Sequence, residues 1–223
     1  MLGLSAPLLE NRARRKSRKA LRRLLRELGP ARDWEVFLAL TLGPALAAAP
    51  EDRGRAALAR RGEQHRAQAL ARAQRAIAAQ PASRLAVPSV AAKPARVAAR
   101  RFARDLLQRT ARRVRRRGKG LSRLDPASLH RLRLAVKRLR YALHYFASLF
   151  SERRIKPVRV ALESLQQALG GANDCAVAEA LLRQLRVAQD TAIARRNAAW
   201  LAAYRRELRS GWRAFRDAGN PWE

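Results

Sequence analysis

Apolar residues recur at spacings of three and four along most of the chain, and no segment alternates apolar and polar positions as a half-buried strand would. Because an α-helix turns about 100° per residue, this spacing collects the apolar side chains on one side of each helix. The pattern therefore predicts an all-α protein. The predicted helices are Leu8–Leu28, Trp34–Leu46, Arg55–Ala79, Ala95–Val114, Ser128–Phe150, Val158–Leu169, Cys175–Leu185 and Ala192–Phe215.

Glycine, proline and aspartate mark the predicted breaks between these helices. The segment Pro81–Pro94, rich in Ala and Pro, is the loosest and divides the chain into two unequal parts. We expect a single domain composed of residues 1–93 and residues 94–223. The predicted breaks are Gly29-Pro30, Gly43-Pro44, Gly118-Lys119-Gly120, Asp125-Pro126 and Gly170-Gly171.

The two parts repeat each other when Ala20 is placed on Ala161. Both copies are predicted to contain a helix, a Gly turn, an aspartate and a second helix. The aspartates, Asp33 and Asp174, either cap or precharge the N-terminus of the second helix, or anchor an arginine of the basic helix face around His130. The aligned pairs are Leu21 with Leu162, Leu24 with Leu165, Leu28 with Leu169, Gly29 with Gly170, Ala31 with Ala172, Asp33 with Asp174 and Val36 with Val177.

The predicted helix from Ser128 to Phe150 carries an apolar stripe on one side and only positive charge on the other, with no carboxylate between Asp125 and Glu152. An unmixed cationic helix face repels itself unless an anion binds to it. We call His130, Arg133, Lys137, Arg140 and His144 the basic face; Tyr141 lies inside it, and Arg131 and Arg138 flank it. The apolar stripe contains Leu129, Leu132, Val136, Leu139, Leu143, Phe146 and Phe150.

The whole chain is basic, with 49 Lys and Arg residues against 17 Asp and Glu and a net charge of +32 on 223 residues. This excess implies a polyanionic partner, and arginine suits phosphate because its planar fork can donate two parallel hydrogen bonds. Arg15, Lys19 and Arg22 follow the same one-sided spacing and are predicted to form a second basic wall together with Arg26. The run Arg112–Lys119 is equally compatible with phosphate contacts and with a solvated helix end.

Other function classes find little support in the sequence. Cys175 is the single cysteine, so an internal disulfide is excluded and a reducing cytoplasm is expected. No run of 18 apolar residues suggests a membrane span. The histidines are too far apart along their helices to form a metal site, and no HExxH or paired-carboxylate motif is present. We expect neither enzymatic activity nor a cofactor or metal.

Several motifs resemble those of a known family. His130, Arg133 and Lys137-Arg138-Leu139-Arg140-Tyr141, followed by a helix ending Leu169-Gly170-Gly171-Ala172-Asn173-Asp174, are similar to the second half of a CHAD domain, the conserved histidine α-helical domain. Leu28–Phe37 resembles the matching turn of its first half, and Trp212-Arg213-Ala214-Phe215 resembles its closing helix. The resemblance implies two four-helix repeats related by a pseudo-twofold axis and a basic surface that binds inorganic polyphosphate.

We expect His130, Arg133, Lys137, Arg138 and Arg140 to hold the polymer, and the one-sided spacing adds Arg15, Lys19 and Arg22 as the second wall. The first histidine helix of the family is missing, because Met1–Leu9 contains neither its histidine nor its arginines. We therefore expect an incomplete first repeat with an apolar groove near Leu21, Leu24 and Leu28. A second copy of the chain or a partner helix would fill that groove.

The expected function is non-enzymatic binding of polyphosphate, which would target or tether a cytoplasmic protein to the polymer or to its granules. The alternative is a nucleic-acid-binding or nucleoid-associated protein, which charge alone supports. Proteins that bind single strands interleave aromatic and basic residues, whereas the four tryptophans here lie outside the basic face. No membrane partner is expected.

Overall fold

The computed structural model describes residues 11–81, 99–188 and 191–222, and all regular structure within these ranges is helical. The predicted all-α class is confirmed. The predicted boundary at residues 93 and 94 lies outside the described residues, as does most of Pro81–Pro94. The helices are α1 (Asn11–Phe37), a π-helical turn (Leu38–Leu42), α2 (Gly43–Ala47), α3 (Arg53–Ala78), α4 (Ala99–Arg117), a 3₁₀ turn (Leu121–Arg123), α5 (Pro126–Phe146), a 3₁₀ turn (Ala147–Leu149), α6 (Glu152–Gln184) and α7 (Ala192–Asp217).

The chain folds as two compact units, and α6 and α7 each contribute to both. The unit called here the 95–173 unit also includes residues 199–223, and the 2–94 unit also includes residues 174–198. In the 95–173 unit, α4 packs along α5, and Leu107, Leu132 and Leu139 are fully buried. In the 2–94 unit, α1 packs along α3 around the buried rings of Trp34 and Phe37.

The predicted break at Gly29-Pro30 is wrong, because α1 runs through both residues. Pro30 removes one backbone donor, but Pro30 and Arg26, whose carbonyl loses that partner, are both exposed, so water can replace the bond. The break at Gly43-Pro44 is wrong for a related reason. Gly43 has right-handed helical angles, and Pro44 occupies the first turn of α2, where its missing N–H needs no partner.

The break predicted at Gly170-Gly171 is also absent, and α6 continues through it. A Cβ atom at Gly171 would overlap the ring of Tyr204 on α7, so this glycine permits a close helix contact rather than a turn. Around Gly170, by contrast, no other side chain and no other helix of the described residues comes within 4 Å of the position that a Cβ would take. The two neighbouring glycines therefore serve different purposes.

Asp33 and Asp174 do not cap helices, because they lie inside α1 and α6. Both instead approach Arg32 within the 2–94 unit: its Nη1 lies 3.5 Å from the Asp33 carboxylate and its Nη2 lies 3.6 Å from that of Asp174. Arg32 lies on α1 and not on the basic face, so neither capping nor the anchoring of an arginine of the basic face is what these two contacts show. The predicted turns at Gly118-Lys119-Gly120 and Asp125-Pro126 are present.

The spacing of the sequence repeat recurs in the positions of the helices. Ala20 lies within α1, and its aligned residue Ala161 lies within α6. The first residues of α3 and α7, Arg53 and Ala192, are separated along the chain by nearly the same interval as Ala20 and Ala161. The pseudo-twofold rotation between the repeats stays a prediction.

Candidate functional site

Helix α5 is fixed at its start and along its apolar stripe. Oδ1 of Asp125 accepts from the Ser128 backbone N–H at 2.8 Å and Oδ2 accepts from its hydroxyl at 2.7 Å. Both hydrogen bonds lower the pKa of Asp125, and the bond from the Ser128 hydroxyl contributes most. The capping carboxylate therefore stays ionised. Four members of the predicted stripe are fully buried, and Leu129 and Phe146 are half-buried. The buried members are Leu132, Val136, Leu139 and Leu143.

His130 opens the basic face and is positioned by a side chain of α6. Its Nδ1 lies 3.2 Å from Oδ1 of Asn173. Because an amide oxygen can only accept, Nδ1 carries the proton in this contact and Nε2 remains directed elsewhere. The ring is exposed, so Nε2 is available to an incoming anion as a donor whenever His130 is protonated.

Arg140 lies near the other end of the basic face and is also held by α6. Its Nε donates to Oε1 of Gln166 at 2.7 Å, which leaves both terminal nitrogens of the guanidinium for another acceptor. The guanidinium carbon lies 5.3 Å from the ring centre of Tyr141, and Nζ of Lys137 lies 5.8 Å from the same centre. Tyr141 therefore supports two cations of the basic face through cation–π contacts.

Between His130 and Arg140, two cations have no anionic partner. Arg133 and Lys137 are half-buried, and among the described residues neither has a hydrogen-bond acceptor or an ion pair. Gly170 lies between Gln166 and Asn173 on the side of α6 that contacts the basic face, and it offers no side chain there. Two cations without an anionic partner thus lie on the same helix face as His130 and Arg140, which α6 holds.

The remaining predicted site residues lie elsewhere. Arg138 is exposed and projects about 160° around α5 from Arg140, so the structure does not bring these two together. Arg15, Lys19 and Arg22 are exposed on α1 in the 2–94 unit. In the described part of the chain these three have no ion pair or hydrogen-bond partner, and their role as a second wall stays a prediction.

Sequence reasoning missed the contribution of α6 to the site. Gln166, Gly170 and Asn173 follow one another at spacings of four and three, which places them on one side of the helix. That spacing was visible in the sequence. The sequence did not show which helix packs against this side of α6, because the pairing of helices depends on the tertiary fold.

Other chemistry has little basis in the described residues. Across residues 11–81, 99–188 and 191–222, no group of three or more His, Cys, Asp or Glu residues could hold a metal ion. Burial, reinforced by Asp174, raises the pKa of Cys175 to about 11, so this thiol is a poor nucleophile at neutral pH. None of the described helices is long and apolar enough to cross a membrane.

The structure is that of a helical domain, and comparisons with known proteins agree with this fold. Residues 1–183 match the family model of the CHAD domain. The chain is similar in structure to PptA from Streptomyces chartreusis, with 19% identity and a TM-score of 0.66 over 97% of this chain and 83% of that one. It is also similar to the CHAD domain from the plant Ricinus communis, with 28% identity and a TM-score of 0.58 over 96% and 76%.

The chain belongs to the CHAD domain family, which confirms the resemblance noted in the sequence. No curated protein sequence matches it significantly.

Proposed function

We propose that this CHAD domain binds inorganic polyphosphate along the basic face of α5 without catalysing a reaction. The observation that carries the proposal is the pair of half-buried cations without an anionic partner, Arg133 and Lys137, between two side chains that α6 holds in place. A cation that is partly desolvated and unpaired gains more from a phosphoryl group than a fully solvated one does.

The basic face has the length and the donors that a phosphate chain needs. His130 and Arg140 are ten residues apart, which is about 15 Å along the helix and room for several consecutive phosphoryl groups. Arg133 and Arg140 would donate in the bidentate manner of guanidinium groups, and Lys137 would act as a point charge between them. With no carboxylate on α5 itself, little within the helix competes for these cations.

A linear phosphate polymer suits this face better than a nucleic acid does. Single-stranded nucleic acids are bound by stacking their bases on aromatic rings. Tyr141 is the aromatic residue within the basic face, and Lys137 and Arg140 already approach its ring. A polymer without bases needs no such platform. Binding of this kind would tether the protein to polyphosphate, including its granules.

The absence of catalysis is part of the proposal. His130 is oriented by the amide of Asn173 rather than by a carboxylate, so it lacks the usual partner of a strong general base. A slow hydrolysis of polyphosphate by the purified protein, lost on changing His130 to Ala, would contradict this part.

The test is a competition between long-chain polyphosphate and duplex DNA at equal phosphate concentration and fixed salt. We expect polyphosphate to displace labelled DNA from the protein, and DNA to displace labelled polyphosphate poorly. The opposite order would replace the proposal with the nucleic-acid function.

A further inference from the structure

A basic cavity lies within the 95–173 unit and is lined by residues outside the basic face. The loop after α4 and the last turns of α7 enclose about 650 Å³, which is within the usual size range of small-molecule sites. We call it the Lys119 pocket. Six of the residues that line it are cations, Arg115, Arg116, Lys119, Arg209, Arg213 and Arg216, and none of the described residues that line it is a carboxylate. It shares no residue with the basic face.

Two glycines and an arginine build this pocket. Gly118 packs so closely on Trp212 that any Cβ would overlap the indole, and Gly120 has a left-handed φ of 68°, which turns the loop. Arg115 donates to Oδ1 of Asn220 at 2.7 Å and to the carbonyl of Gly219 at 3.0 Å, so it holds the chain after α7. The walls are therefore fixed by packing and hydrogen bonds.

The basic run from Arg112 to Lys119 separates into two groups. Arg115 makes the contacts above, and Arg117 donates to the carbonyl of Arg131 at 2.7 Å. Burial and neighbouring arginines, Arg113 foremost, lower the pKa of Arg117. Arg116 and Lys119 line the pocket instead, so the run is more than a solvated helix end.

Five of the six pocket cations have no acceptor of their own. Within the described residues, Arg116, Lys119, Arg209, Arg213 and Arg216 have neither a hydrogen-bond partner nor an ion pair. Cations gathered around one concave site repel one another, and a multiply charged anion relieves that repulsion. Trp212 adds an aromatic wall beside them.

We infer that the Lys119 pocket binds an oligophosphate group, carried either by a nucleoside triphosphate or by inorganic tripolyphosphate. The arginines of α7 and Lys119 donate to the phosphoryl oxygens. The indole of Trp212 is placed to contact a base when the ligand is a nucleotide. This site is independent of polyphosphate binding at the basic face.

The test compares two doubly charge-reversed variants of α7. In one, Arg209→Glu is combined with Arg213→Glu; in the control, Arg205→Glu is combined with Arg206→Glu, two exposed residues that do not line the pocket. Titration calorimetry at low salt measures tripolyphosphate and ATP separately. We expect the pocket variant to lose at least about tenfold in affinity, because it loses two charge-assisted contacts, and the control to change by less than about threefold.

The affinities for ATP and tripolyphosphate then show whether the oligophosphate group belongs to a nucleotide or to an inorganic chain. A higher affinity for ATP, with quenching of tryptophan fluorescence that disappears in Trp212→Phe, indicates a nucleotide. An affinity for tripolyphosphate equal to or above that for ATP indicates the inorganic chain. Equal losses in the pocket variant and the control, or no binding of either ligand by the unmodified protein, would overturn the inference.

Discussion

The basic face of α5 and the basic start of α1 carry similar charge, but they differ in burial and in their contacts with a neighbouring helix. Arg133 and Lys137 are half-buried beside helix α6, whose side chains hold the two ends of the face. Arg15, Lys19 and Arg22 are exposed and project into solvent. We therefore expect the basic face to bind the polymer more tightly than the start of α1 does, because donors that are already oriented lose less conformational entropy on binding.

The largest expected effect comes from reversing the charge of each region in turn. Changing Arg133, Lys137 and Arg140 to Glu should weaken polyphosphate binding by at least about a hundredfold, since each charge-assisted contact accounts for roughly tenfold or more. Changing Arg15, Lys19 and Arg22 to Glu alters net charge by the same amount and should weaken it by less than about tenfold. Affinity by titration, with circular dichroism to verify helicity, distinguishes the two.

Equal losses in both triple variants would mean that net charge alone drives binding. A larger loss in the α1 variant would move the site to the 2–94 unit. Arg115, Arg116 and Arg117 are a poorer control, because Arg115 and Arg117 hold backbone carbonyls in the fold.

The salt dependence of polyphosphate binding tests the same comparison, because it reports how many phosphate contacts each region makes. Each phosphate contact contributes somewhat less than one unit to the slope of log K against log salt. The α5 triple variant should therefore have a slope about two units shallower than the unmodified protein, and the α1 variant a slope within about one unit of it. An unchanged slope in the α5 variant would show that its three cations do not contact phosphate.

Gly170 and Gly171 of α6 test whether the close contact between α6 and α7 stabilises the fold. Gly171→Ala should destabilise the protein by about 1–3 kcal/mol, because its methyl group meets the ring of Tyr204. Gly170→Ala should be neutral or stabilising by up to about 1 kcal/mol, since the space is open and alanine favours helices. Thermal or denaturant unfolding measures both, and equal effects would contradict the distinction.

The smallest expected effect concerns the orientation of His130. Asn173→Ala should weaken polyphosphate binding by about two- to fivefold, the net value of one hydrogen bond. If Asn173 acts through His130, the double variant with His130→Ala should bind no more weakly than His130→Ala alone. Fully additive losses would show that Asn173 acts independently of the histidine.

The sequence predicted the helical class, the family and the two faces of α5, because these depend on periodicity within single segments. It failed at Gly29-Pro30, where water can replace the backbone bond that proline removes, and at Gly170-Gly171, where Tyr204 packs against Gly171. Tyr204, which needs the space at Gly171, lies on the following helix and is distant from that glycine along the chain. Gln166 was not predicted, and Asn173 was noted only within the family motif, since their contacts depend on which helix lies beside them.

Protection of individual lysines by polyphosphate is the most direct test that the polymer lies on the basic face. The chain has six lysines, and Lys137 is the one within that face. Reductive methylation followed by peptide mass spectrometry measures each of them with and without saturating long-chain polyphosphate. We expect strong protection of Lys137 and little change at Lys156, which is exposed on α6. Unchanged modification of Lys137 together with protection of Lys16 and Lys19 would contradict the assignment.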